Sequence, residues 1–208
     1  MCTETFLRLP EEKRSRFLDA AWEEFTTTSL QDASINQIVQ RARIPRGSFY
    51  QYFADKEDLF GYLQDMIMRH LVREYCGVMQ QADGDIFRTQ MLCFDRVASR
   101  GRTSDILFER CIRILRHNPG LLPRVAMEGK LMKTLLENVW GLIDRSMLRS
   151  QEDAFVCHTF GLTLVALAVA AAACLEAPED IANHRQALEI QLNIIKQGSL
   201  ADACRTER

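Results

Sequence analysis

The sequence predicts an all-α protein in two parts, an N-terminal three-helix head built on a helix-turn-helix and a larger C-terminal helical domain. Three observations carry this expectation. Apolar residues recur every three or four positions in most segments between turn signals. No stretch alternates apolar and polar residues in the manner of a half-buried strand. Pro, Gly, Asn and Asp punctuate the chain at helix-length intervals, with no internal repeat and no low-complexity segment.

Composition sets the class. Of 208 residues, 47% are hydrophobic and 26% charged, an ordinary balance for a chain that buries a core. The net charge of −2 excludes a uniformly basic coat for nucleic acid but leaves room for a local basic face. The N-terminus lacks a basic start followed by an apolar run, so no signal peptide is expected. Seven cysteines, an odd number with no CxxC pair, fit reduced thiols in a cytoplasm. Most read as small buried hydrophobes, and the spacing selects no redox sensor.

The elements follow in order. Pro10-Glu11-Glu12 opens the first helix, since proline and early acids both suit a helix start; Phe17, Leu18, Ala21, Trp22 and Phe25 give its apolar face. Residues 26–32 form a polar break. Ser34 with Gln37 reads as a capping box, and Ile35, Ile38 and Val39 as the buried stripe of a short second helix. Pro45 stops that helix near residues 42–44 and opens a third, with Phe49 and Phe53 turned inward beside Ile44. Asp55 caps a fourth helix running from Lys56 to about Gln81. Asp83-Gly84-Asp85 breaks it.

Further helices are expected at about 86–99, 103–116 and 121–148, punctuated by Gly101, Asn118-Pro119-Gly120 and Ser150. Residues 159–175 carry no charge. A membrane span is one reading, but the run is short, Ala-rich and flanked by acids, which favours a helix buried in a bundle or between subunits. Pro178 starts the last helix, with Ile181, Leu188, Leu192 and Ile195 in register and Gly198 as its stop. The expected division is 1–55 for the head, with the helix-turn-helix at 34–53, then 56–200, and a tail at 201–208.

The chemistry concentrates in residues 34–56. Arg41, Arg43, Arg46 and Lys56 stand against Asp55 alone, four positive charges less one, or +3. In a helix-turn-helix the second helix enters the major groove. Arg46 can fork onto a guanine edge or pair with a phosphate. Just after Pro45, Gly47 removes a side chain where backbone would approach DNA. Ser48, Tyr50 and Tyr52 offer hydroxyls, and the tyrosine rings can meet thymine methyl groups. Lys56 joins an ammonium to a helix N-terminus, both favourable to a phosphate. Three packed short helices that bind no DNA share this pattern, so the residues alone leave both readings open.

Catalysis is not expected. His70, His117, His158 and His184 are far apart, with no HExxH, GxSxG, P-loop or GxGxxG motif. Acids such as Glu23-Glu24 and Glu57-Asp58 read as solvated helix faces. No metal and no cofactor is implied.

Phe25, Ser34-Ile35, Ile38-Val39, Ala42, Ile44, the run Arg46-Gly47-Ser48-Phe49-Tyr50, Tyr52-Phe53 and Lys56-Glu57-Asp58-Leu59 follow a long, specific pattern. On these residues, 10–63 resembles the N-terminal domain of TetR-type (tetracycline-repressor-like) transcriptional regulators, over about a quarter of the chain. The resemblance implies DNA contacts at Ser34, Arg46, Ser48, Tyr50, Tyr52 and Lys56. Two positions depart from the pattern: Arg43 stands where the turn usually has glycine, and Ser29 where glycine usually follows the first helix. Two outcomes are open at Arg43, a slightly remodelled turn or, instead, an added phosphate contact. The remaining helices agree with the family's C-terminal domain in length and class only.

The resemblance further implies a C-terminal domain that dimerises through its last two long helices and encloses a small-molecule pocket. The dimer candidates are Leu162, Val165, Ala166, Val169, Ala170 and Ala173 on residues 153–176, with Leu188, Leu192 and Ile195 on 179–197; the alanines also suit packing within one subunit. Pocket candidates are Phe87, Met91, Phe94, Phe108, Met127, Met132 and Trp140, each of which also suits plain core. The resulting expectation is a cytoplasmic homodimer, outside any membrane. It binds a near-palindromic double-stranded operator, acts as a repressor, and is released by an unidentified small-molecule effector. The alternative is a helical protein–protein adaptor that keeps the fold without DNA binding.

Overall fold

The structure is a computed structural model and describes residues 3–99, 105–121 and 130–200. Their helices are α1 (Glu4–Leu7), α2 (Glu11–Thr27), α3 (Ile35–Arg41), α4 (Arg46–Tyr52), α5 (Lys56–Gln81), α6 (Ile86–Ala98), α7 (Ile106–His117), α8 (Lys130–Val139), α9 (Asp153–Glu176) and α10 (Ile181–Ser199). Among the described residues no strand forms; β pairing is confined to an isolated antiparallel bridge between Leu148 and Leu200. Two compact units emerge, Met1–His70 with Asp105–Asn118, and Leu71–Ser104 with Pro119–Arg208. The division differs from one at residue 55, because Leu59, Phe60 and Leu63 of α5 are buried in the first unit's core and α7 packs on α2.

In the first unit, Phe17, Phe25, Ile38, Phe49, Phe53, Leu59 and Leu63 are completely buried. Phe17 and Phe53 stack with ring centroids 5.8 Å apart. The expected inward turn of Ile44, Phe49 and Phe53 is what the structure shows. So is the Asp55 cap, whose carboxylate accepts the Asp58 amide at 2.7 Å. The short α1 escapes the periodicity argument because four residues make barely one turn. It is held from outside: Thr3 Oγ1 donates to Gln51 O at 2.6 Å, and the Thr3 amide donates to Tyr52 O at 3.1 Å. Phe6, fully buried, then covers the rings of Phe53 and Tyr52 at 4.9 and 5.8 Å.

The capping box is not formed. Ser34 is the N-cap of α3, but its side chain makes no capping bond. Its backbone N–H donates instead to Glu24 Oε1 at 2.8 Å, while Glu24 Oε2 accepts from Arg41 Nη1 at 2.6 Å. This overturns the solvated reading of Glu24, which is 3% exposed, while Glu23 beside it is exposed. A carboxylate can be buried here because an amide and a guanidinium satisfy both of its oxygens.

The turn after α3 is not remodelled. Arg43 takes the left-handed conformation at φ +54°. Around it the Arg43 amide donates to Gln40 O at 3.1 Å and the Ile44 amide to Val39 O at 3.0 Å, a complete Schellman cap. Arginine therefore occupies a glycine conformation at a cost of about 1 kcal/mol, and the surrounding packing absorbs it.

In the second unit α9 packs against α6 and α10. Asp85 caps α6 by accepting the Phe87 and Arg88 amides at 2.8 and 3.0 Å. Before it, Gly84 sits at φ +81°, where a Cβ would lie 2.4 Å from Leu142 O, so only glycine fits. The expected helix over 121–148 is corrected in its second half: α8 stops at Val139 and a 3-10 turn spans Arg145–Met147. Between them the Asp144 amide donates to Gly84 O at 3.1 Å, which draws the backbone out of helical pairing. Residues 122–129 lie outside the described set.

Helix α9 is long and apolar enough to cross a membrane, with mean hydropathy 2.0 in its most apolar window. Its inward face carries Thr159 and Thr163 as well as Val156, Phe160 and Cys174, all buried within the unit. A buried polar network crosses here, Gln90 Nε2 donating to Tyr75 Oη at 2.9 Å and to Thr163 Oγ1 at 3.0 Å.

Candidate nucleic-acid interface

The outward face of the first unit is assembled from α3, α4 and the start of α5. Arg46 and Gly47 open α4, and Pro45 is its exposed N-cap with φ −61°. The Arg46 guanidinium bridges two helices, donating through Nη1 to Asn36 Oδ1 on α3 and through Nη2 to Tyr50 Oη at 3.2 Å. Its carbon lies 5.9 Å from the centre of the Tyr50 ring. Tyr50 remains 49% exposed, so the pair is held in place while its outer surface stays open. Ser48 and Ser34 are half-buried and Arg43 is exposed.

Gly47 has a further property. A Cβ built on it meets nothing within 4 Å, and its backbone needs no left-handed conformation. The fold gives no steric reason for glycine here.

Lys56 is less open than the sequence implies. Its Nζ donates to Gln31 O at 2.5 Å and Ala33 O at 3.3 Å. An ammonium has three donors, so one is left for an external acceptor.

Two expectations need correction. Tyr52 is 3% exposed, its ring enclosed by Phe6 and by Phe17 at 5.8 Å, so it belongs to the core and not to the contact face. The cover over it is α1, which sequence periodicity did not reveal. The local charge of +3 is also too generous, because Arg41 is committed to Glu24 and lies 3.7 Å from Glu23. The cations that remain for a partner are Arg43, Arg46 and Lys56. Asn36 belongs to no sequence motif; it lies in the first turn of α3 and meets Arg46, the first residue of α4.

The comparisons with known proteins decide what kind of head this is. The family model described as bacterial regulatory proteins, tetR family, matches residues 17–63. Residues 17–63 are a TetR-family DNA-binding domain. Over 52 residues the chain is 42% identical to the uncharacterized HTH-type transcriptional regulator YdgC of Bacillus subtilis, a match spanning 25% of this chain and 27% of YdgC. The curated relative is thus matched over about a quarter of its length.

Among solved structures, SmeT, the repressor of the Stenotrophomonas maltophilia multidrug efflux pump SmeDEF, is similar at TM-score 0.60 and 14% identity. The match covers 96% of this chain and 94% of that one. A tetR-family regulator from Streptomyces coelicolor is similar at TM-score 0.56 and 16% identity, covering 91% and 84%. At these identities the likeness shows the fold. TetR-family regulators are DNA-binding proteins and not enzymes. Beyond the matched residues but in the same unit, His70 Nε2 lies 2.6 Å from Asp105 Oδ2.

Of the expected pocket residues, Phe87, Met91, Phe94 and Trp140 fall in the second unit. Phe87 and Phe94 are buried core at 5% and 0% exposure, while Met91 and Trp140 are half-buried in the second unit. Trp140 carries the Arg145 guanidinium 4.3 Å above its ring. Phe108 belongs to the first unit with the head. Met127 and the side chain of Met132 lie outside the described set.

The expected dimer residues also separate. Leu162, Val165 and Val169 of α9 are 58%, 52% and 57% exposed, an apolar stripe on one helix face. Ala166 and Ala170 are buried within the unit and Ala173 is half-buried, so the first two serve internal packing. Leu188 and Leu192 are likewise buried by their own unit, and Ile195 is half-buried. The outward apolar residues of α10 are instead Ile190 at 54% and Ile194 at 66%. A helix apolar on two sides does not say in sequence which side its own subunit covers, and here Leu188 and Leu192 are on the covered side.

Proposed function

We propose that the chain is a ligand-responsive transcriptional regulator that binds a near-palindromic operator as a homodimer. It acts as a repressor in the cytoplasm and releases DNA when a small molecule occupies the C-terminal unit. The observation that carries the DNA reading is the open face where Arg46, braced by Asn36 and Tyr50, stands next to a glycine that the fold does not require. Arg46 and Tyr50 read base edges or phosphates, and Ser34, Arg43, Ser48 and Lys56 position the head on the backbone. Two heads of a dimer reach successive major grooves, which makes the operator a near-palindrome.

The exposed stripes of α9 and α10 support dimerisation, since five large apolar side chains half or more exposed on two adjoining helices are costly in water. Ligand response is supported by the likeness to SmeT, for which a triclosan complex is known; half-buried Met91 and Trp140 are the pocket residues that keep this role. A ligand that releases DNA binds DNA-free protein more tightly than DNA-bound protein.

The test is selection of fragments from the host genome, followed by Arg46→Ala and Tyr50→Ala on the retained fragment. Each variant weakens binding by ~1–3 kcal/mol with fold and dimer unchanged. Equal binding by both variants removes the contact assignment, and no retained fragment favours the adaptor.

A further inference from the structure

Helix α7 is far from the head in sequence but part of its compact unit. Three residues, Arg110 and the two caps Asp105 and Asn118, fasten it there. Arg110 pairs with Asp19 at 3.2 Å and lies 5.2 Å over the Trp22 ring, and Asp105 pairs with His70. The third contact is at the other end of the helix. Asn118, its C-cap, accepts the Leu30 amide on Oδ1 at 3.0 Å while its Nδ2 donates to Ile114 O at 2.9 Å.

Leu30 lies in the loop between α2 and α3. The next carbonyls of that loop, Gln31 O and Ala33 O, are the two that hold the Lys56 ammonium. Within the loop the Ala33 amide donates to Ser29 O at 3.0 Å, and the Ser34 amide just beyond it donates to Glu24 Oε1 at 2.8 Å, so the Ala33 end is held from the α2 side and the Leu30–Gln31 end is held by Asn118. Ser29 bridges to Asp32 within it at 2.7 Å, which shapes the loop without attaching it to anything else. Asn118 is the attachment from α7, and it is bonded at both ends of its amide, so its rotamer is set.

We infer that Asn118 is a positioning residue for DNA binding: by fixing the 28–33 loop it aims the third donor of Lys56 at a phosphate. In sequence Asn118-Pro119-Gly120 reads only as punctuation. The inference rests on the DNA-binding reading and adds a specific dependence of Lys56 on a residue in α7.

The two residues then act as one unit, and a double-mutant cycle on the genomic fragment retained by the wild-type chain reads this directly. Lys56→Met lowers affinity about 5- to 20-fold and flattens the slope of log affinity against log salt by ~1.8, the loss of one phosphate contact from each subunit of the dimer. Asn118→Ala gives a similar loss and the same flattening, and the double variant is no worse than either. Asn118→Asp keeps an acceptor for the Leu30 amide and restores most of the affinity and the slope. A purely structural role for Asn118 would weaken binding without changing the slope.

The outcomes separate. Multiplicative losses in the double variant, or an unchanged slope for Asn118→Ala, overturn the positioning role. An unchanged affinity and slope for Lys56→Met overturns the phosphate contact beneath it. If Asn118→Ala unfolds, Asn118→Asp decides: an affinity and slope as poor as those of Lys56→Met, in a folded protein, overturn the inference.

Discussion

Replacing Gly47 by alanine separates what the fold needs from what DNA binding needs. Glycine in a helix costs about 0.8–1.0 kcal/mol relative to alanine, and less in the first turn, where Gly47 lies second after Arg46. A Cβ there meets nothing within 4 Å, so no steric cost offsets the gain. Gly47→Ala should therefore stabilise the isolated protein by roughly 0.5 kcal/mol, raising Tm by about 1–2 °C for a chain of this size. If backbone approach to DNA is the reason for the glycine, the same methyl group meets the nucleic acid, and affinity for a retained operator fragment falls by ~1–3 kcal/mol. Thermal melts and fluorescence-anisotropy titrations of the two proteins read both effects. A variant that is more stable and binds equally well refutes the close-approach argument. A less stable variant refutes the packing argument.

Glu24→Ala strands the Ser34 amide and Arg41. It should cost about 2–3 kcal/mol in urea unfolding, discounted because the Arg41 side chain is 35% exposed. Glu23→Ala at the exposed neighbour should stay within ~0.5 kcal/mol; equal effects would contradict the burial assignment. Burial pushes the Cys93 and Cys111 thiols from 9.0 up to about 12, aided at Cys111 by the Asp105 carboxylate and opposed at Cys93 by Arg96. The unfolded chain then loses these protons before the folded one does, so stability is full below about pH 9 and falls as pH rises toward 12. The Cys93→Ala/Cys111→Ala double variant should show a shallower alkaline decline, and an identical decline would argue against buried neutral thiols. Val165→Glu on the open α9 stripe should convert dimer to monomer in analytical ultracentrifugation while leaving the helical content intact. A persistent dimer would place the interface elsewhere.

The head was largely legible because its signals are local. Asp55 before Lys56, Pro45 at the start of α4, and Phe49 and Phe53 four apart each depend on neighbours in sequence, and each is realised. The misses depend on partners far away. Glu24 is buried because α3 brings it Ser34 and Arg41, 10 and 17 residues on. Tyr52 is covered by Phe6, from a helix too short to show a period. Arg43 kept the glycine conformation because the Schellman bonds and neighbouring core outweigh about 1 kcal/mol of strain. The face that α10 turns outward, Ile190 and Ile194, was hidden because residues 188 and 192 repeat at the same spacing.

The most direct measurement of the central claim is a salt titration of the wild-type protein on genomic DNA fragments. The contact face carries three available cations, Arg43, Arg46 and Lys56, so a dimer brings about six. The account predicts retained fragments with near-palindromic symmetry, and affinity that falls with salt at a log–log slope of several units, approaching about −5 if all six meet phosphates. Retention of no fragment, or binding whose strength is indifferent to salt, would contradict it.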